Sequence, residues 1–138
     1  RSEKVAEMAS VVAAMPAVRA ALLDLQRKFA AAPPDPNGAI LDGRDIGTVV
    51  LPDADFKFFI DANICIRAER RTKELLQAGQ SVMFRDVLSD MRERDTRDRT
   101  RTAAPLRPAD DAIMIDTSTK GVEDVVALAL SHIAACSS

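Results

Sequence analysis

The chain has 138 residues, the size of one domain and enough to bury a core. Hydrophobic residues make up 47% and charged residues 29%, with a formal net charge of -2; this is a globular balance without the basic excess of a duplex-binding protein. No apolar run approaches the roughly 18 to 20 residues of a membrane-spanning helix, so no membrane partner is expected.

The first segment, EKVAEMASVVAAM, has helical periodicity and stops at Pro16. It is amphipathic, unlike the uninterrupted apolar stretch of a secretory signal. Because the sequence opens on Arg inside this pattern, it reads as the later part of a longer protein. PAVRAALLDLQRKFAAA then restarts a helix with Pro at the first position, where its missing N–H is tolerated. A breaker cluster, PPDPNG at 33–38, follows.

Three short apolar runs each close on Asp: AILD at 39–42, FKFFID at 56–61 and AIMID at 112–116. Such runs suit strands of a parallel sheet covered on both faces. Helices are expected at 63–79, at 81–101 opening on Ser81, and at 121–135. This alternation predicts an α/β fold, a parallel sheet flanked by helices. Ligands of such sheets sit beyond the carboxyl ends of the strands, where Asp42, Asp61 and Asp116 fall. Cys65 and Cys136 show no pairing pattern and fit reduced thiols in a cytoplasmic protein.

The stretch RERDTRDRTR at 92–101 places five arginines and three carboxylates in ten residues. At about 100° per residue, Phe84, Val87, Leu88 and Met91 share one apolar stripe. Arg94, Asp98 and Arg101 continue along nearly the same side, while Arg92 and Arg99 point away. The run is either a solvated ladder of i,i+4 pairs or a clamp, since two arginines on one face can grip a phosphate. DGRD at 42–45 is either an Asx-type turn with surface charges or a phosphate and base contact through Arg44 and Asp45. Arg67, Arg70, Arg71 and Lys73 are either a solvent face or the arginines of a mobile lid. His132 is expected to pack or to face solvent. No Cys/His spacing suggests zinc, and no Ser-His-Asp or Cys-His set assembles.

Taken in order, VAEMASVVAAMPAVRAALLDLQRKFA, LDGRDIGTVVLPDADFKFFIDA, RAERRTKELLQAGQSVMFRDVLSDMRERDTRDRTRTAAPLRPADDAIMIDTS and GVEDVVALAL resemble bacterial cytidylate (CMP) kinases from end to end. DGRDIGT together with ERDTRDRTR is the specific combination. The resemblance implies a P-loop nucleoside monophosphate kinase fold that moves the γ-phosphoryl of ATP to CMP or dCMP with Mg²⁺. It implies a cytoplasmic enzyme of pyrimidine metabolism, a monomer when complete, with no nucleic-acid partner. It divides the chain into 1–15, the end of the NMP-binding region; 16–69, core; 70–82, lid; and 83–138, core.

By the same resemblance, Ser10, Arg19 and Asp45 match positions that read the cytosine base, supplying donors and an acceptor to the pyrimidine edge. Arg44 matches a contact to the CMP phosphate. Arg94, Asp98 and Arg101 match the helix that holds pentose and phosphate, with Asp98 on the sugar hydroxyls. Arg67, Arg70 and Arg71 match lid arginines on the ATP phosphates. Of these, Arg70, Arg94 and Arg101 are expected to neutralise charge in the transition state. The family's G-x-x-x-x-G-K-[ST] loop occurs nowhere in the 138 residues, so no metal ligand is expected here. The expectation is therefore a C-terminal part, inactive by itself, whose first strand would lie between those ending at Asp42 and Asp61. The alternative is a non-catalytic nucleotide- or RNA-binding module, against which the lack of Trp and Tyr for base stacking speaks. A third reading is a purely structural α/β domain.

Overall fold

The computed structural model describes residues 12, 15–100 and 104–136 of the chain. Most of the first expected helix lies outside them. Helix α1, Pro16–Ala31, begins as expected with Pro in its first turn. None of its residues is fully buried. After the breaker cluster the chain forms a π-helical turn at Ile46–Val50.

Strand β1, Phe58–Asp61, pairs in parallel with β2, Ile113–Asp116, in a register that sets Asp61 opposite Asp116. Backbone bonds continue the ladder at both ends, from Ile113 N–H to the Lys57 carbonyl and from Thr117 N–H to the Asp61 carbonyl, each 2.8 Å. Two of the three expected strand-ending aspartates thus sit together at one carboxyl edge.

The third expected strand, 39–42, is not formed. Ile40 is 98% exposed, and among the described residues no strand runs beside it. A strand exists through its hydrogen-bonded neighbour, so local apolar content alone cannot hold one. Asp42 is therefore not a strand-end residue here. Coverage of the sheet is also partial among the described residues: Ile115 is buried, but Ile60 and Met114 are more than half exposed.

Between the strands lie two helices. Helix α2, Ile64–Gln77, is capped by Asn63, whose side chain accepts from Cys65 N–H at 2.9 Å. It ends in a Schellman arrangement: Gly79 N–H reaches the Leu76 carbonyl and Gln80 N–H the Leu75 carbonyl, both at 3.0 Å, with Gly79 at φ +78°. Helix α3, Phe84–Thr100, starts three residues later than Ser81, where the Met83 carbonyl takes the N–H groups of Asp86 and Val87. Ala68 and Leu75 of α2 and Val87 of α3 form the packed core, with Val82, Leu88 and Met91 against it. Ala68, fully buried, presents only a methyl group between the helices.

Helix α4, Val122–Cys136, opens with Asp124 accepting from Gly121 N–H at 3.2 Å, one half of a capping box at the acidic first turn. His132 packs its ring against Phe58 of β1, with centroids 6.5 Å apart.

Candidate functional site

The segment DGRDIGT builds one side of the site. A Cβ at Gly43 would stand 3.0 Å from the Ile46 side chain, so glycine permits that close approach. The π-helical turn at Ile46–Val50 follows directly. It hangs on the Asp45 carbonyl, which accepts from Val49 N–H at 2.9 Å and Val50 N–H at 3.2 Å. Helix α1 holds this turn at two places. The Arg19 guanidinium meets the Asp45 carboxylate at 2.8 Å. Arg27 donates from Nε to the Val50 carbonyl at 3.0 Å and from Nη2 to the Val49 carbonyl at 2.9 Å.

Arg44, between Gly43 and Asp45, turns the other way and pairs with Asp98 of α3. The two sequence-predicted motifs therefore meet. The backbone carbonyl of Asp98 also accepts from Leu106 N–H at 2.8 Å, which ties the loop before β2 to the end of α3.

One turn back on α3, Asp95 takes two guanidinium nitrogens of Arg67, whose Nε also donates to the Ala62 carbonyl at 3.0 Å. The Arg67 hydrogen bond holds the Asp95 carboxyl below the usual carboxylate range, with its charge and those of Arg99 and Arg44 acting in the same direction. The same bond raises Arg67 above its ordinary value. Arg67 and Arg99 each lie 3.8 Å from a carboxylate oxygen of Asp61. Arg70 donates to the Thr117 carbonyl at 2.6 Å and its hydroxyl at 3.3 Å. Beyond the neighbouring strand, Ser118 donates its N–H and hydroxyl to Asp116, lowering that carboxyl.

Of the expected residues, Arg19, Asp45, Arg44 and Asp98 are drawn into direct pairs, and Arg67 and Arg70 reach the strand ends. Arg71 instead pairs along its own helix with Glu74 at 3.2 Å. Arg94 is exposed and has no ion pair among the described residues. Ser10 and Arg101 lie outside the described residues. The expected inward stripe thus runs through Asp95 and Asp98, with Arg94 at its margin. Arg99, expected to point away, lies at the opposite margin, within reach of Asp61. Helical periodicity carries a signal for Asp95: it stands seven residues after Leu88 and four after Met91, on the side packed against the core. Arg27 had no such signal, because its partners are backbone carbonyls distant in sequence.

Among the described residues no group of three His, Cys, Asp or Glu side chains is arranged to hold a metal ion. No helix of the described residues is long and apolar enough to cross a membrane. What the geometry offers is a cluster of guanidinium groups, with Arg67 and Arg99 near the carboxylates of Asp61 and Asp95 and Arg70 hydrogen-bonded to neutral oxygens of Thr117. It lies at the carboxyl ends of parallel strands, the edge where α/β proteins take polar ligands.

Those features define an α/β chain with a cationic strand-end site. Residues 1–135 match the family model described as cytidylate kinase. The chain is 54% identical over 133 residues to a cytidylate kinase of Paramagnetospirillum magneticum, covering 96% of this chain and 63% of that protein. It is 55% identical over 130 residues to one of Methylocella silvestris (94% and 59%), and 52% identical over 135 residues to one of Xanthobacter autotrophicus (98% and 64%). The chain belongs to the cytidylate kinase family, and it spans about three-fifths of the length of these curated relatives. Membership implies the P-loop nucleoside monophosphate kinase fold, with which helices and a small two-stranded parallel sheet agree.

Proposed function

We propose that this chain forms the CMP-holding and lid portion of an enzyme that transfers the γ-phosphoryl of ATP to CMP or dCMP. Family membership supports the reaction. The Arg44–Asp98 pair supports the site, because it joins the two motifs whose combination makes the resemblance specific.

In this reading Asp45, held by Arg19, presents a carboxylate to the amino edge of cytosine, and Arg19 and Ser10 donate to its other polar atoms. Arg44 turns from Asp98 to the CMP phosphate, leaving the Asp98 carboxylate to accept from the sugar hydroxyls. Arg94 and Arg101 complete the cationic grip. Arg70 and Arg71, at the start of a lid spanning 70–82, and Arg67 just before it neutralise the donor phosphates when the lid closes. Phosphoryl transfer depends almost wholly on such positioning and charge stabilisation. Mg²⁺ bound with ATP supplies further charge neutralisation at the phosphates, and no residue described here is assigned to it.

The 138 residues contain no G-x-x-x-x-G-K-[ST] loop, so by themselves they are expected not to turn over. A coupled ATP/CMP assay on the 138-residue chain, with its mass verified, tests this. Turnover near that of a longer family member would overturn the claim of dependence on the loop. Calorimetry of the longer enzyme with CMP, AMP and UMP tests the base assignment, and equal affinity for all three would remove it.

A further inference from the structure

The resemblance marks Asp45 and Arg19 but says nothing of Arg27, which is bound to the same short turn. We infer that Arg27 is a positioning residue for the base-reading pair, acting on Asp45 through the backbone of the π-helical turn; the inference rests on the CMP reading of Asp45.

Three observations carry it. First, the turn has two ends and α1 holds both. Asp45 opens it and is met by Arg19, while the Val49 and Val50 carbonyls close it and are met by Arg27. Arg19 and Arg27 lie eight residues apart, about 12 Å along the helix axis, so together they fix both the place and the direction of the turn. Second, apolar burial does not do this job for α1. No residue of that helix is fully buried, so its alignment with the turn relies heavily on these polar ties. Third, the last carbonyls of a helical turn lack internal partners. Arg27 supplies two donors in a planar fork, matched to two adjacent carbonyl oxygens in a way a lysine ammonium cannot reproduce.

A π-helical turn is rare and less well bonded than an α-turn, and single ones concentrate at functional sites. Left without Arg27, this one can relax toward α or unwound geometry. Either change moves the Asp45 carbonyl, which accepts both Val49 and Val50 N–H groups, and with it the Asp45 carboxylate. Arg27 itself is exposed, so its replacement opens no cavity in the core.

The test uses the longer enzyme that contains this chain, with Arg27→Gln, Arg27→Lys and Asp45→Asn. Steady-state KM for CMP and ATP, kcat, the CMP-over-UMP preference and the melting temperature are measured for each. Arg27→Gln should raise KM for CMP roughly three- to tenfold, as loss of one or two net hydrogen bonds predicts, and lower the CMP-over-UMP preference. KM for ATP should change less than twofold. Arg27→Lys should restore only part of the effect. A double variant with Asp45→Asn should lose less than the two single effects combined. Full rescue by lysine, or equal change for both nucleotides, overturns the positioning role. So does a melting shift with no change in base preference. If Asp45→Asn weakens CMP while Arg27→Gln does not, the inference alone falls. If Asp45→Asn is also without effect, the CMP reading of Asp45 falls with it.

Discussion

Arg44 and Asp98 form an ion pair that joins the loop after residue 42 to the charged end of α3. Asp98 is mostly covered by protein and Arg44 about one-third exposed, so solvent screens the pair only in part. Two stretches that look unrelated along the chain become one surface through this contact.

The Arg44→Ala and Asp98→Ala changes should be energetically coupled. Urea denaturation of the two single variants and the double variant should give a coupling of about 0.5 to 2 kcal/mol. Strict additivity would show that the two side chains are near one another without holding the structure.

Base selection should depend on Asp45 more than phosphate donor binding does. In the longer enzyme, Asp45→Ala or Ser10→Ala should weaken CMP by about 1 to 3 kcal/mol, the cost of an unpaired polar group, with a smaller effect on ATP. Titration calorimetry with each nucleotide gives the comparison. Equal losses would assign these side chains to fold maintenance.

Asp95 offers a pH signature. Its carboxyl titrates lower in the folded chain than a free carboxylate because Arg67 hydrogen-bonds its ionised form. The resulting stabilisation is complete above the ordinary carboxylate value of about 4 and is lost as pH falls through the depressed folded value. Asp95→Asn should therefore be less stable than the parent chain near pH 6. The gap should narrow on acidification below pH about 4, read from urea midpoints. A gap independent of pH would contradict the assigned cause.

The α2–α3 pairing should be sensitive to volume and the turn after α2 to chirality. Ala68 is fully buried, so Ala68→Leu should cost about 1 to 3 kcal/mol through overpacking. Gly79 has open space around its Cβ position but a φ of +78°, so Gly79→Ala should cost about 1 kcal/mol from backbone strain alone. Thermal melts of the two variants separate steric from conformational cost, and an unchanged melting point for Ala68→Leu would show a looser interface.

Local signals determined much of this chain. Pro16, Asn63 and Gly79 mark helix ends by backbone chemistry that acts within a few residues. The apolar runs ending at Asp61 and Asp116 found both strands, and α3's periodicity showed its inward face becoming ionic. The pairing of DGRDIGT with ERDTRDRTR carries the family resemblance in the sequence itself. Tertiary structure decided the remainder. A strand at 39–42 required a neighbour that composition cannot report, and it was not formed. Which charges meet was likewise a matter of three-dimensional distance: periodicity sets Asp95 on the inward side, but that Arg67 reaches it from another helix is decided in space. Arg27 was the least legible, because backbone carbonyls have no residue identity. Hydrogen bonds and ion pairs act over a few ångströms of space, and chain order alone does not specify which groups come that close.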